Sequence, residues 1–122
     1  MNTRATGKVW EDVVARYLRR AGMVIYVQNF RCRQGEIDII GEQDGCLVFV
    51  EVKYRNSSVY GSPEEAVGWR KQEKICRCAL SYLYEYGKMR QPVRFDVVCI
   101  AQGRIRWYRN AFPFRGKGGI WN

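Results

Sequence analysis

The chain has 122 residues, the length of one domain, and its 47% apolar content is enough for a real core. It carries 21 Lys and Arg against 12 Asp and Glu, a formal net charge of +9, which favours a polyanionic partner, nucleic acid before others. It has no histidine, which excludes Ser-His-Asp and Cys-His catalysis and His-ligated zinc, and leaves acid–base work to carboxylates, Lys, Tyr or metal-bound water. Residues 7–21, GKVWEDVVARYLRRA, place Trp10, Val13, Val14, Tyr17 and Leu18 at helical spacing, with arginines on the other face and Gly22 as the stop. Glu11 falls at the border of that apolar stripe. MVIYVQNFR then reads as a strand. GEIDIIGE and CLVFVEVKY are two more, joined by Asp44-Gly45, a strong hairpin signal. NSSVYGS is a loop. Ser62, Pro63 and Glu65 form a capping box that opens a helix running to about Tyr86, with Gly68 as a break near its start. VRFDVVCI and RIRWYRNAF are a last strand pair that turns at Gln102-Gly103, which sets Asp96 opposite Arg109. The order α-β-β-β-α-β-β predicts an α/β fold, a central mixed β-sheet flanked by helices. We expect one domain over 1–122, with its core at about 7–112 and a flexible tail at 113–122.

The remaining signals bound the setting. No window is long and apolar enough to span a membrane, and MNTRATGKVW lacks the apolar run of a signal peptide. The expectation is a cytoplasmic protein with no membrane partner. Five cysteines, Cys32, Cys46, Cys76, Cys78 and Cys99, contain no CxxC pair, and buried reduced thiols are the expected state.

The hairpin holds the chemistry. A two-residue turn at Asp44-Gly45 sets Ile40 opposite Phe49, Asp38 opposite Glu51 and Glu36 opposite Lys53. Opposed residues share a face of the sheet with Cβ atoms about 5 Å apart. Four charged side chains then cluster beyond an apolar floor, while Ile37, Ile39, Val48, Val50 and Val52 fill the other face. Two opposed carboxylates repel unless a cation lies between them, and Mg²⁺ or Mn²⁺ prefers such oxygens. Lys53 points the same way, within reach of a water or a phosphate oxygen. This set suits metal-assisted phosphodiester hydrolysis. Glu11 is a candidate third carboxylate. The plain alternative is a solvated strand face with a Glu36–Lys53 salt bridge. Arg31, Arg33 and Arg55 flank the open end of the hairpin and are the first choice for phosphate contacts. Trp69 and Tyr60 are candidates for base stacking, with packing roles as the commoner use.

Asp38 with Glu51-Val52-Lys53 is similar to the D…(D/E)xK signature of the PD-(D/E)xK nuclease superfamily. With YLRRAGM, NFRCRQGEIDIIGE, LVFVEVKYR, EEAV, RKQEKI, RFDVV and NAF, the chain resembles the YraN-like family of small predicted nucleases from Gly7 to Phe112. The resemblance implies a restriction-endonuclease-like core, Mg²⁺ (or Mn²⁺) as cofactor and DNA as substrate. It makes Asp38 and Glu51 metal ligands, Lys53 the catalytic lysine, and Glu11 a further metal ligand. Lys71 and Gln72 match polar positions of the long helix and, with Glu36, are supporting candidates. Trp10 stands where the family usually has glycine, and Ile37-Asp38 stands for the nominal Pro-Asp. The similar archaeal-type Holliday-junction resolvases act as dimers, so a homodimer and a preference for branched DNA are within the expectation. Two other functions compete with a nuclease: a nucleic-acid-binding module with little or no cleavage, and a protein-interaction subunit whose acids are structural.

Overall fold

The computed structural model describes residues 3–55 and 66–114, with side chains described from Gly7 onward. The elements are α1 (Thr3–Arg20), β1 (Val24–Cys32), β2 (Gly35–Gln43), β3 (Cys46–Arg55), α2 (Trp69–Glu85), β4 (Val93–Ala101) and β5 (Arg104–Phe112). This is the expected α-β-β-β-α-β-β order. Tyr60, the Ser62–Glu65 capping box and residues 115–122 of the tail lie outside the described residues. Gly68 does interrupt the helical pattern: it is the extended N-cap of α2, at φ −65° and ψ 164°.

The strands form one sheet in the order β1-β2-β3-β4-β5. Only β3 and β4 run parallel, because α2 carries the chain back between them; the other neighbours are antiparallel. Asp44 and Gly45 take φ of 53° and 76°, and Gln102 and Gly103 take 49° and 72°. Left-handed backbone at both central residues makes the tight turn that matches strand twist. Each turn therefore sets its register, Gln43 to Cys46 in one and Ala101 to Arg104 in the other.

Each face of the sheet buries its own apolar layer. On one face Val14, Ala15 and Leu18 of α1 pack with Ile39, Val48, Val50, Val98 and Ile100. On the other, Ile75, Cys76, Ala79, Tyr82 and Leu83 of α2 pack with Ile40, Leu47, Phe49, Phe95 and Val97. Gly41 lets α1 and β1 close down on β2: a Cβ there would lie 2.6 Å from the Val24 carbonyl oxygen and 3.0 Å from Met23.

Three details differ from the sequence expectation. Ile37 packs on the α2 face with Ile40 and Phe49, although Ile39 packs on the α1 face. Strict alternation puts residues two apart on one face, so the strand kinks between them. The facing strand kinks as well, at Asn29, whose φ is 59°. Asp96 meets Arg94, not Arg109: the β4–β5 register shifts between Phe95 and Val97, and Asn110 takes φ 53°. The fully buried Asp96 carboxylate accepts from Arg94 Nε (3.0 Å), the Trp107 indole N–H (2.8 Å) and the Asn110 N–H (2.9 Å). Lastly, Cys32 and Cys78 form a disulfide, where five reduced thiols were expected. They lie 46 positions apart, and packing of α2 on the β1–β2 hairpin brings their Cα atoms to 5.7 Å.

Candidate functional site

The β2–β3 ladder runs from Gln43–Cys46 to Ile39–Val50 and stops there. The next step of that register would join Asp38 to Glu51. Instead the Asp38 carboxylate turns toward β3 and its Oδ2 accepts the Val52 N–H at 2.8 Å. A side chain replaces the strand as acceptor, so the backbone donor of β3 stays satisfied where the strands part. The kink between Ile37 and Ile39 frees Asp38 for this.

Glu51 follows Phe49 on the α2 face and is only 5% exposed; Asp38 is 8% exposed. Burial, then the adjacent Asp38 charge, with which a proton can be shared, push the Glu51 carboxyl well above the usual carboxylate range. Lys71 and Lys53 pull the other way, their Nζ atoms 3.4 and 3.9 Å from Glu51 Oε2. Lys71 reaches the site from the first turn of α2. The start of that helix is held by the buried Gln72, whose Nε2 donates to the Val67 carbonyl at 2.7 Å. Lys71 and Gln72 thus work as a unit, one presenting charge and the other fixing the backbone that presents it.

Glu36 lies apart from Lys53. It is 3.5 Å from Arg31 Nε of β1, on the α1 side, whereas Lys53 is on the α2 side with Glu51. The kink at Asp38 is the reason, since it moves every residue before it to the other face from the one strict alternation assigns. Glu36 lines a cavity of about 480 Å³ with Gly7, Lys8, Glu11, Asn29 and Arg31. Glu11 has a buried Oε1 with no hydrogen-bond partner. Burial raises its pKa from 4.5 to about 7; Asp38 and Glu36 add to the rise, against an Asn29 hydrogen bond and Lys8. Trp10, in place of the family's usual glycine, stacks on Tyr54 with centroids 5.0 Å apart and pins α1 beside the end of β3. Asn29 escaped the sequence reading. Its signal was an asparagine inside a strand, the residue that most readily accepts left-handed backbone after glycine.

Of the arginines expected at the open end, Arg31 and Arg33 are exposed, and Arg55 donates from Nη2 to the Ala66 carbonyl at 3.2 Å. Trp69 is exposed at the start of α2. Among the described residues no three acid or thiol side chains converge tightly enough to hold one ion together. Two carboxylates do suit a Mg²⁺ that keeps much of its water shell. A buried, mutually repelling pair in which the Glu51 pKa is raised, with an orphaned carboxylate oxygen on the adjacent helix, is a donor set a divalent cation would satisfy. No helix among the described residues is long and apolar enough to cross a membrane.

The family model described as "Uncharacterised protein family UPF0102" matches residues 10–100. A UPF0102 protein of Photobacterium profundum is 44% identical over 115 residues, 90% of this chain and 91% of its own. Another, of Lachnoclostridium phytofermentans, is 44% identical over 117 residues, 95% of this chain and 99% of its own. One of Rhodococcus jostii is 46% identical over 113 residues, 88% and 96% of the two chains. Among solved structures, the crystal structure of SSO0001 superposes with a TM-score of 0.50 at 17% identity, a likeness of fold. It covers 93% of this chain, which spans about half, 54%, of that one. The chain belongs to the UPF0102 family, the YraN-like group to which its motifs point.

Proposed function

We propose that this protein is a metal-dependent phosphodiesterase that cuts nucleic acid, DNA before RNA. The observation that carries the reading is the Asp38–Glu51 pair: two buried acids at the parting of β2 and β3, with two lysines converging on one of them. A structural role gives no reason to bury two like charges together, since apolar residues of similar volume serve stability as well or better. Asp38 and Glu51 would hold a Mg²⁺ or Mn²⁺, with Glu11 near enough to add a charge. The bound ion would neutralise a phosphate and lower the pKa of its water. Asp38 is oriented for this by the Val52 N–H, which fixes one of its oxygens. Lys53, about a third exposed, can reach a phosphate oxygen or steady charge that develops on it. Lys71 works against the rise that burial gives the Glu51 pKa.

One observation favours a second reading, a binding module on the same fold. Lys53 and Lys71 already balance Glu51, so the pair can persist without an ion. The experiment is incubation with labelled duplex, single-stranded, flap and four-way DNA, with Mg²⁺, with Mn²⁺ and with chelator. Cleavage that needs the metal supports the nuclease. Lys53→Ala should lower the rate by about 10²-fold or more, as expected for loss of a group that stabilises developing charge, with DNA affinity largely kept. Cleavage by Lys53→Ala at the wild-type rate would place the activity elsewhere. Binding without cleavage under every condition would leave the module.

A further inference from the structure

The α1 face of the sheet is wider than the helix that covers it. α1 meets β5 where Tyr17 packs edge-on against Trp107, with ring centroids 6.2 Å apart. Beside that contact a trough of about 310 Å³ runs between Val13, Arg16, Tyr17 and Arg20 of α1 and Ile105 of β5. Its charge is of one sign. From Val13 to Arg20, α1 has three arginines and no acid, and β5 adds Arg109 over the Trp107 ring. The nearest carboxylates are engaged: Asp12 with Lys8 and Gln28, though Arg16 is close enough to help lower its pKa, and Asp96 with Arg94 and Trp107. Among the described residues, Arg16, Arg20 and Arg109 form no ion pair.

The β5 wall beside the trough is held in place. Asp96 holds the Trp107 indole N–H at 2.8 Å, and Arg109 lies with its guanidinium carbon 3.8 Å from the centre of the Trp107 ring. A ring so fixed orients the cation on it. The guanidinium also covers a face on which a base would stack, so the surface suits phosphates better than bases. Its place relative to the candidate site follows from the register: Val52 pairs with Val98, and Val98 with Trp107. Trp107 is therefore two strand spacings, about 10 Å, from the segment that holds Glu51 and Lys53. The trough opens on the α1 face and Glu51 and Lys53 lie on the α2 face, so it meets the phosphates, one charge about every 1.7 Å of a duplex axis, apart from the candidate site.

We propose that this trough is a second DNA contact, a seat for the phosphate backbone away from the Asp38–Glu51 pair; it rests on the nucleic-acid reading above. It gives affinity and orientation without reading sequence. The helix provides its own control. Arg16 and Arg20 are four residues apart and both line the trough. Arg19 lies about 100° around the helix from Arg20 and outside it. Arg19 and Arg20 both belong to the last turn, so each complements the helix dipole and carries the same charge.

The test is fluorescence anisotropy with a labelled duplex of about 20 base pairs, in chelator, over a range of salt concentrations that spans about 50–200 mM. Arg20→Gln should flatten the slope of log affinity against log salt by about 0.9, and Arg16→Gln/Arg20→Gln by about 1.8 with at least tenfold weaker binding near 0.1 M salt. Arg19→Gln should leave the slope at the wild-type value. Thermal melts confirm that all variants are folded. Equal losses in Arg19→Gln and Arg20→Gln, or wild-type binding by the double variant, overturn the trough and leave the proposed function standing. If the wild type binds no DNA at all, the trough and the proposed function fall together.

Discussion

Glu11→Gln should stabilise the metal-free protein at pH 8 and do little at pH 5. The shapes are nearly the same, and both side chains leave a polar atom at the position where Glu11 Oε1 lacks a partner. What changes is charge. Glu11 faces Asp38 and Glu36 from a partly buried position, and its pKa rises from 4.5 to about 7. A carboxyl whose pKa is higher in the folded state favours folding fully below 4.5, and that contribution is lost as the pH rises through 7. Each pKa unit is worth about 1.36 kcal/mol, so full ionisation costs at most about 3.4 kcal/mol. The site is open to solvent on one side, and screening reduces this to about 1–2 kcal/mol. For a domain of this size, each kcal/mol moves Tm by about 3–6 °C. The assay is a thermal melt of both proteins in chelator at the two pH values. Glu11→Gln should melt about 4–10 °C above wild type at pH 8, with most of the gap closed at pH 5. A gap of the same size at both pH values, or a variant that melts lower at pH 8, would refute the electrostatic account of this site.

Mn²⁺ should raise the Tm of the wild type, by the equivalent of about 2.7 kcal/mol at a hundredfold excess over its dissociation constant, since the unfolded chain does not hold the ligands together. Glu51→Gln should lose most of that gain; an equal metal-dependent shift in both proteins would remove Glu51 from the ligand set. Asp96→Asn turns an amide donor toward Arg94, Trp107 and the Asn110 N–H and leaves the largely buried Arg94 charge with only the Gln43 amide oxygen. Its expected cost is about 3–5 kcal/mol by urea denaturation, and a loss under 1 kcal/mol would show that this network contributes little.

Element order, the two tight turns and, Ile37 apart, the apolar layers were legible in the sequence, because each depends on spacing within a short stretch. Asp44-Gly45 and Gln102-Gly103 set their registers through left-handed backbone that few other pairs tolerate. Trp10, Val14 and Leu18 marked the inner face of α1 by helical period alone. Asp38, Glu51 and Lys53 were found by counting outward from the turn, and the count held as far as Ile39 and Val50. It then failed for Glu36, because the kinks at Asn29 and Asp38 flip a face and leave no composition signal stronger than an asparagine in a strand.

Tertiary packing decided the rest. That Cys32 meets Cys78, that Lys71 meets Glu51 and that Asp96 takes Arg94 in place of Arg109 are contacts set by how α2 and β5 seat on the sheet. The sequence by itself determined which residues lie inside, since burial follows periodicity and each residue reports it locally. Which charges face one another was decided only by the fold: apart from Arg94 and Asp96, those partners are distant in the chain, and a single left-handed residue or strand kink moves a side chain from one face of the sheet to the other.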